Sequence, residues 1–281
     1  MPKRVRYHFG RLNVLPIRPY QEKLQWLEDS LEWGGTVEDH NIHWQLFNIS
    51  RLENELGLFF SGFLGRYKED TEIEVALPSG REIDVRTIEN LISAKTLFFL
   101  HAESGVIAFR SVPKLIPPET FKARFTDLIY QASGRFFTDV EIDNIEEPFS
   151  LREELKRFNR VREVHIALHP SNPSNREVWK RVDKRLKDVK ATKYIEQYET
   201  KDPFSTGLLI VDDQDILSKI AMAEDGYGKV VVTGEIQGED HIVTTTDNPV
   251  TALASGEGEP PKNILRSLRG TFSRILARFQ K

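Results

Sequence analysis

Cysteine is absent from all 281 residues. That removes disulfides, thiolate metal sites and cysteine nucleophiles together, and it fits a reducing compartment. Methionine is nearly absent too: two residues stand against seventeen phenylalanines, which favours a core of well-defined rotamers over a plastic one. No stretch approaches the ~18 apolar residues of a membrane-spanning helix. The basic start, Met1-Pro2-Lys3-Arg4, leads into alternating residues and not into the apolar run of a secretion signal. The expectation is a cytoplasmic protein, with membrane association disfavoured. There is also no Gly-rich phosphate loop and no G-x-S-x-G elbow, so no self-contained active site stands out.

Hydrophobic residues make up 39% of the chain and charged residues 29%, enough for a sizeable core under a solvated surface. The net charge of −4 argues against a global polyanion binder but leaves local patches open. Periodicity points to an α+β fold with two lobes. Val5, Tyr7 and Phe9 alternate, which predicts a strand over about 4–15; Tyr20, Leu24, Leu27 and Leu31 form the stripe of a helix over 20–33. Period-two segments and turns then run to about 112, so residues 1–115 read as an antiparallel, sheet-rich lobe with one early helix. Pro113, Pro117 and Pro118 mark the boundary. Residues 116–246 alternate helix and strand, an order that suggests a crossover unit. Ser150-x-x-Glu153 and Ser174-x-x-Glu177 have the form of capping boxes at helix starts. Residues 247–261, with three prolines and two glycines, read as a linker. Residues 262–281 read as a tethered basic amphipathic helix.

Three features carry candidate chemistry. The terminal helix presents Leu268, Phe272, Ile275 and Phe279 on one side and Arg266, Arg269, Arg274 and Arg278 on the other. Such a helix can dock on a partner protein or a second copy, or fold back on its own core. The segment 150–193 holds thirteen Lys/Arg against six Asp/Glu, a net +7. Its Arg157, Arg160, Arg176, Lys180, Arg181, Lys184, Arg185 and Lys187 are the candidate nucleic-acid contacts, since clustered cations release counterions from a phosphate backbone. Asp213 and Asp215 follow the apolar run Leu208–Val211. Carboxylates at the end of an apolar strand can hold Mg²⁺, with Glu235 as a third candidate; the plainer reading makes Asp212 a helix cap. Otherwise no cofactor is expected. His40-x-x-His43 has metal-like spacing without a second pair, and His165 and His169 stand too far apart along a strand to share one ion.

Tyr7-His8-Phe9-Gly10-Arg11-Leu12-Asn13-Val14 and His165-Ile166-Ala167-Leu168-His169-Pro170-Ser171-Asn172-Pro173-Ser174 together resemble uncharacterised bacterial proteins of phage-defence islands, some similar in layout to RNase-type toxins. The resemblance implies a role in defence and carries over no catalytic residue. The leading expectation is a defence or stress protein that contacts nucleic acid or a partner subunit. The alternatives are a Mg²⁺-dependent nuclease built on Asp213 and Asp215, and a structural adaptor assembled through the terminal helix.

Overall fold

The computed structural model describes residues 4–15, 20–76, 83–134, 139–171, 176–202, 205–256 and 258–279. The fold is α+β, with two antiparallel sheets. The first contains β1 (Arg4–Leu15), β2 (Val37–Asp39), β3 (Ile42–Asn54), β4 (Gly57–Ala76), β5 (Ile83–His101), β6 (Val106–Arg110), β7 (Asp139–Asn144) and β12 (Thr251–Ser255), in the order β12-β1-β6-β5-β4-β3-β2. β1 is its organising strand. β6 lies along one edge of it, while β12 takes Arg4 to His8 of the other edge and β7 takes Gly10 to Leu15. Gly10 sits at that handover. A Cβ there would stand 2.7 Å from Ile142 and 2.9 Å from the Asp143 carbonyl, so only glycine lets β7 approach.

Alternation along the strands gives this sheet two apolar faces. Phe98, Leu100 and Phe109 meet α1 (Tyr20–Glu32) and α2 (Pro118–Ala132) through Leu27, Leu31, Phe121 and Phe125. Phe9, Phe59, Leu97 and Phe99 meet α6 (Pro261–Leu276) on the opposite face. The sheet is therefore the middle layer of three. Beyond Tyr67 the β4–β5 ribbon continues to the pair Ala76–Ile83 with Ile83 and Val85 exposed.

The second sheet runs β11 (Glu239–Thr244), β10 (Gly228–Ile236), β8 (Arg160–Leu168), β9 (Tyr194–Glu199). β9 and β10 both run antiparallel to β8, so they point the same way on its two sides. The expected crossover is of this split kind, joined by α5 (Gln214–Glu224). Val164, Ile166, Leu168, Val230 and Val232 pack against α3 (Ser150–Leu155), α4 (Lys180–Asp188) and α5.

Several expectations are corrected. The lobe boundary at 115/116 does not hold, because α2 and β7 belong to the first sheet's layers. Residues 247–261 are not a free linker, since 251–255 are β12. Leu253 is exposed while the small Ala254 is buried in the core, so the open edge of β1 specifies this strand more than any large apolar side chain of its own. The capping box expected at Ser174 falls partly outside the described residues, since Ser174 is not among them, and the helix that follows, α4, begins at Lys180. The Ser150–Glu153 box does not form. The Glu224 carboxylate of α5 instead accepts the Phe149 and Leu151 N–H groups at 2.9 and 3.0 Å, while Glu153 pairs with Lys156. A longer-range carboxylate has satisfied the same orphan donors. Residues 208–211 form neither strand nor helix.

Candidate nucleic-acid interface

Trp179 anchors the basic helix. It is fully buried, and its indole N–H donates to Asp225 Oδ2 at 2.8 Å. One helical turn further, Asp183 is buried and accepts from the Ser171 N–H at 2.6 Å, the Ser171 hydroxyl at 2.7 Å and Lys187 Nζ at 2.6 Å. With Leu186 these residues turn one face of α4 onto the core, and the period of 3.6 fixes what faces outward.

That geometry divides the eight cations singled out in the sequence. Lys187 neutralises Asp183, Lys180 pairs with Glu177, and Arg157 pairs with Glu154. Arg176 is drawn inward to Asp225 at 2.9 Å, and an Arg160 guanidinium N–H donates to the Asp202 carbonyl. These five serve the chain's own structure. Arg181, Lys184 and Arg185 are exposed, and among the described residues no hydrogen bond or ion pair engages their side chains. Their i, i+3, i+4 spacing puts them on one face. They line a groove of about 550 Å³ together with Asp188 of the same helix, Tyr194 and Glu196 of β9, and Asp215 and Lys219 of α5.

The acidic pair proposed for Mg²⁺ is committed elsewhere. Asp213 is the cap of α5: its Oδ1 accepts the Asp215 and Ile216 N–H groups, each at 2.9 Å, so the cap falls one residue later than Asp212. Asp215 pairs with Lys219 at 2.5 Å, and Lys219 also reaches Glu196 at 2.5 Å. Glu235 lies in β10 opposite Arg160. Among the described residues these three do not form a compact set of metal ligands.

The partner-docking reading of the terminal helix is overturned. Leu268, Phe272 and Ile275 are fully buried within the chain, with Phe272 edge-on to Phe9 and Phe59 at 5.2 and 5.0 Å. Phe279 is packed against Trp179, Tyr227 and the Arg11 guanidinium. His40 is the exposed tip of the β2–β3 turn, and His43 stacks on Tyr67.

One constellation was not singled out in the sequence. Glu141 and Asp143 alternate along β7, and His169 follows β8; one ligand atom from each lies within 4.8 Å of the others. Burial pushes the Asp143 carboxyl up to about 6, although an N–H of Asn13 donates to it at 2.9 Å. Burial opposes protonation of His169, but its bond to Glu141 and the Asp143 charge outweigh this and move it upward. The sequence signal was the alternation Glu141-x-Asp143; no spacing rule ties it to a histidine 26 residues on.

Among the described residues no helix is long and apolar enough to cross a membrane. No curated protein matches the chain. A family model described as a domain of unknown function, DUF4747, matches residues 40–257, most of the chain, and the protein belongs to that family.

Proposed function

We propose that the protein contacts nucleic acid through the exposed face of α4, in the defence or stress setting that its resemblance implies. The observation that carries this reading is the trio Arg181, Lys184 and Arg185, exposed on one helix face and left without carboxylate partners among the described residues. Cations already paired gain little from a phosphate, whereas free ones release counterions on contact. Contacts from such side chains to phosphate oxygens carry no sequence information, so binding of this kind is sequence-blind. The groove's far wall carries Asp215 and Glu196, and both are held by Lys219, which limits their repulsion of a polyanion.

Fluorescence anisotropy with single-stranded RNA and duplex DNA across about 50 to 200 mM salt tests the reading. The expected outcome is a linear fall of log K with log salt. In the triple variant Arg181→Ala, Lys184→Ala, Arg185→Ala the slope should shrink by about 2 to 3, since each phosphate contact contributes about 0.7 to 0.9. The reading fails if the wild-type chain does not bind at the lowest salt, or if the variant keeps the wild-type slope.

A further inference from the structure

We propose that Glu141, Asp143 and His169 form a binding site for a divalent first-row metal cation, joining the two sheets at the end of β8. The donors come from both halves of the molecule: the carboxylates stand on β7 of the first sheet, and the imidazole follows the central strand of the second. The three ligand atoms lie within 4.8 Å of one another, and the His169 Nε2 to Glu141 Oε2 distance is 2.9 Å. Adjacent ligands about 2.1 Å from one octahedral ion stand about 3 Å apart, and opposite ones about 4.2 Å, so the His169–Glu141 pair already stands at the spacing of adjacent ligands, and the whole trio, within 4.8 Å, lies close to the span one ion imposes.

The orientation of the imidazole is a second, independent observation. His169 Nδ1 lies 3.3 Å from the Thr192 carbonyl oxygen. A carbonyl can only accept, so Nδ1 carries the proton and Nε2 is the nitrogen turned toward the carboxylates. A backbone carbonyl behind one ring nitrogen is the usual way to fix a metal-binding histidine. Nε2 then faces a carboxylate oxygen, also an acceptor. That contact needs a positive species between them, either a second proton or a metal ion. A lone proton would offset one of two carboxylates. Among the described residues Lys193 pairs with Glu141, at 4.0 Å, while Asp143 hydrogen-bonds to the neutral Asn13, with the charge of Lys122 acting on it from further away. A dication balances both.

Two oxygens and one imidazole suit Mn²⁺ or Zn²⁺ better than the all-oxygen preference of Mg²⁺ or Ca²⁺. His169 is buried, but the Glu141 side chain is 39% exposed, which gives an ion a route in and leaves coordination positions open to water. The site uses none of the residues of the α4 surface, so it stands or falls apart from nucleic-acid binding.

The test is isothermal titration calorimetry of the chelator-treated full-length chain with Mn²⁺ and with Zn²⁺ near neutral pH. One ion per chain is expected. Glu141→Gln, Asp143→Asn and His169→Gln should each weaken it at least about tenfold, by analogy with the loss from disturbing ligand supports, while His165→Asn should bind as the wild type does. If the buried-site variants fail to fold by circular dichroism, Glu141→Gln, half open to solvent, decides. The proposal is overturned by a wild-type chain that takes up neither ion, by a Glu141→Gln variant of wild-type affinity, or by a ¹⁵N spectrum in which His169 keeps both ring protons in excess Zn²⁺. The last result would identify the contact as an imidazolium–carboxylate pair only.

Discussion

Glu146 is fully buried beside two further acids. Its Oε2 accepts the Asn248 N–H at 2.8 Å, and its Oε1 has no partner among the described residues. Burial pushes this carboxyl up to about 8, and the charges of Asp247 and Glu224 add to the rise. The folded chain therefore holds a proton on Glu146 to about pH 8, whereas the unfolded chain releases it near 4.5. Between those values the native state binds more protons, so this group's contribution to stability falls as pH rises through the window. Glu146→Gln keeps the shape and the acceptor and removes the titration. Urea unfolding at both ends of the window should show the variant losing part of the wild-type decline and gaining about 2 kcal/mol at the alkaline end; an unchanged pH profile would mean that Glu146 ionises freely in the fold. Residues such as this one are poorly legible in sequence. Glu146 sits among acids that look like a solvated run, and only the return of residues 248–250 beside it makes it interior. The sequence places a carboxylate cap at the start of α5 but on Asp212, whereas Asp213, read as a metal ligand, is the residue that takes it.

The helix α6 shows what is legible at the scale of an element. Its apolar stripe, Ile264, Leu265, Leu268, Phe272 and Ile275, is visible in the 3.6-residue period, as are its start at tandem prolines and its basic outer face. What covers the stripe is not visible, because a helix face meets its own sheet and a foreign groove with the same residues. β12 settles the matter: five small or medium-sized residues pair with β1 and bring α6 down on Phe9 and Phe59. A partner-docking helix would lose affinity, not stability, when its stripe is cut. Here Phe272→Ala should cost about 3 to 5 kcal/mol of unfolding free energy, the range for removing a fully buried ring, measured as a lowered urea midpoint with no change in oligomeric mass. A midpoint within experimental scatter of the wild type would put α6 off the sheet. The same reasoning covers α4, whose inner face of Trp179, Asp183 and Leu186 was partly hidden in sequence because Asp183 is buried only through its bonds to Ser171 and Lys187.

Across the whole molecule, the sequence suggests two lobes separated by prolines, whereas the structure couples its two sheets through a buried cation. Arg11 lies in β1 of the first sheet and is completely buried. Its Nε donates to the Asp225 carbonyl at 2.8 Å and its Nη1 to the Ser104 carbonyl at 2.6 Å. Its guanidinium lies 4.5 Å from the ring centroids of both Tyr227 and Phe279. Asp225 in turn accepts from Trp179, Arg176 and Arg278, so the turn entering β10, the start of α4 and the end of the chain converge on one strand of the other sheet. Hydrophobic contact alone would let such units slide; a buried donor with fixed acceptors sets one register, because leaving the acceptors unpaired is costly. Arg11→Met retains most of the volume and removes the donors. It should cost about 2 to 4 kcal/mol, and the loss should be uneven. In the wild-type chain, native-state hydrogen exchange should give β8 and β10 the same protection as β5 and β6, as expected of one cooperative unit. In the variant, β8 and β10 should exchange first, since the second sheet has fewer strands and its outer face carries exposed Ile195 and Ile242. Equal loss in both sheets would show that their coupling runs through the wider interface and not through Arg11.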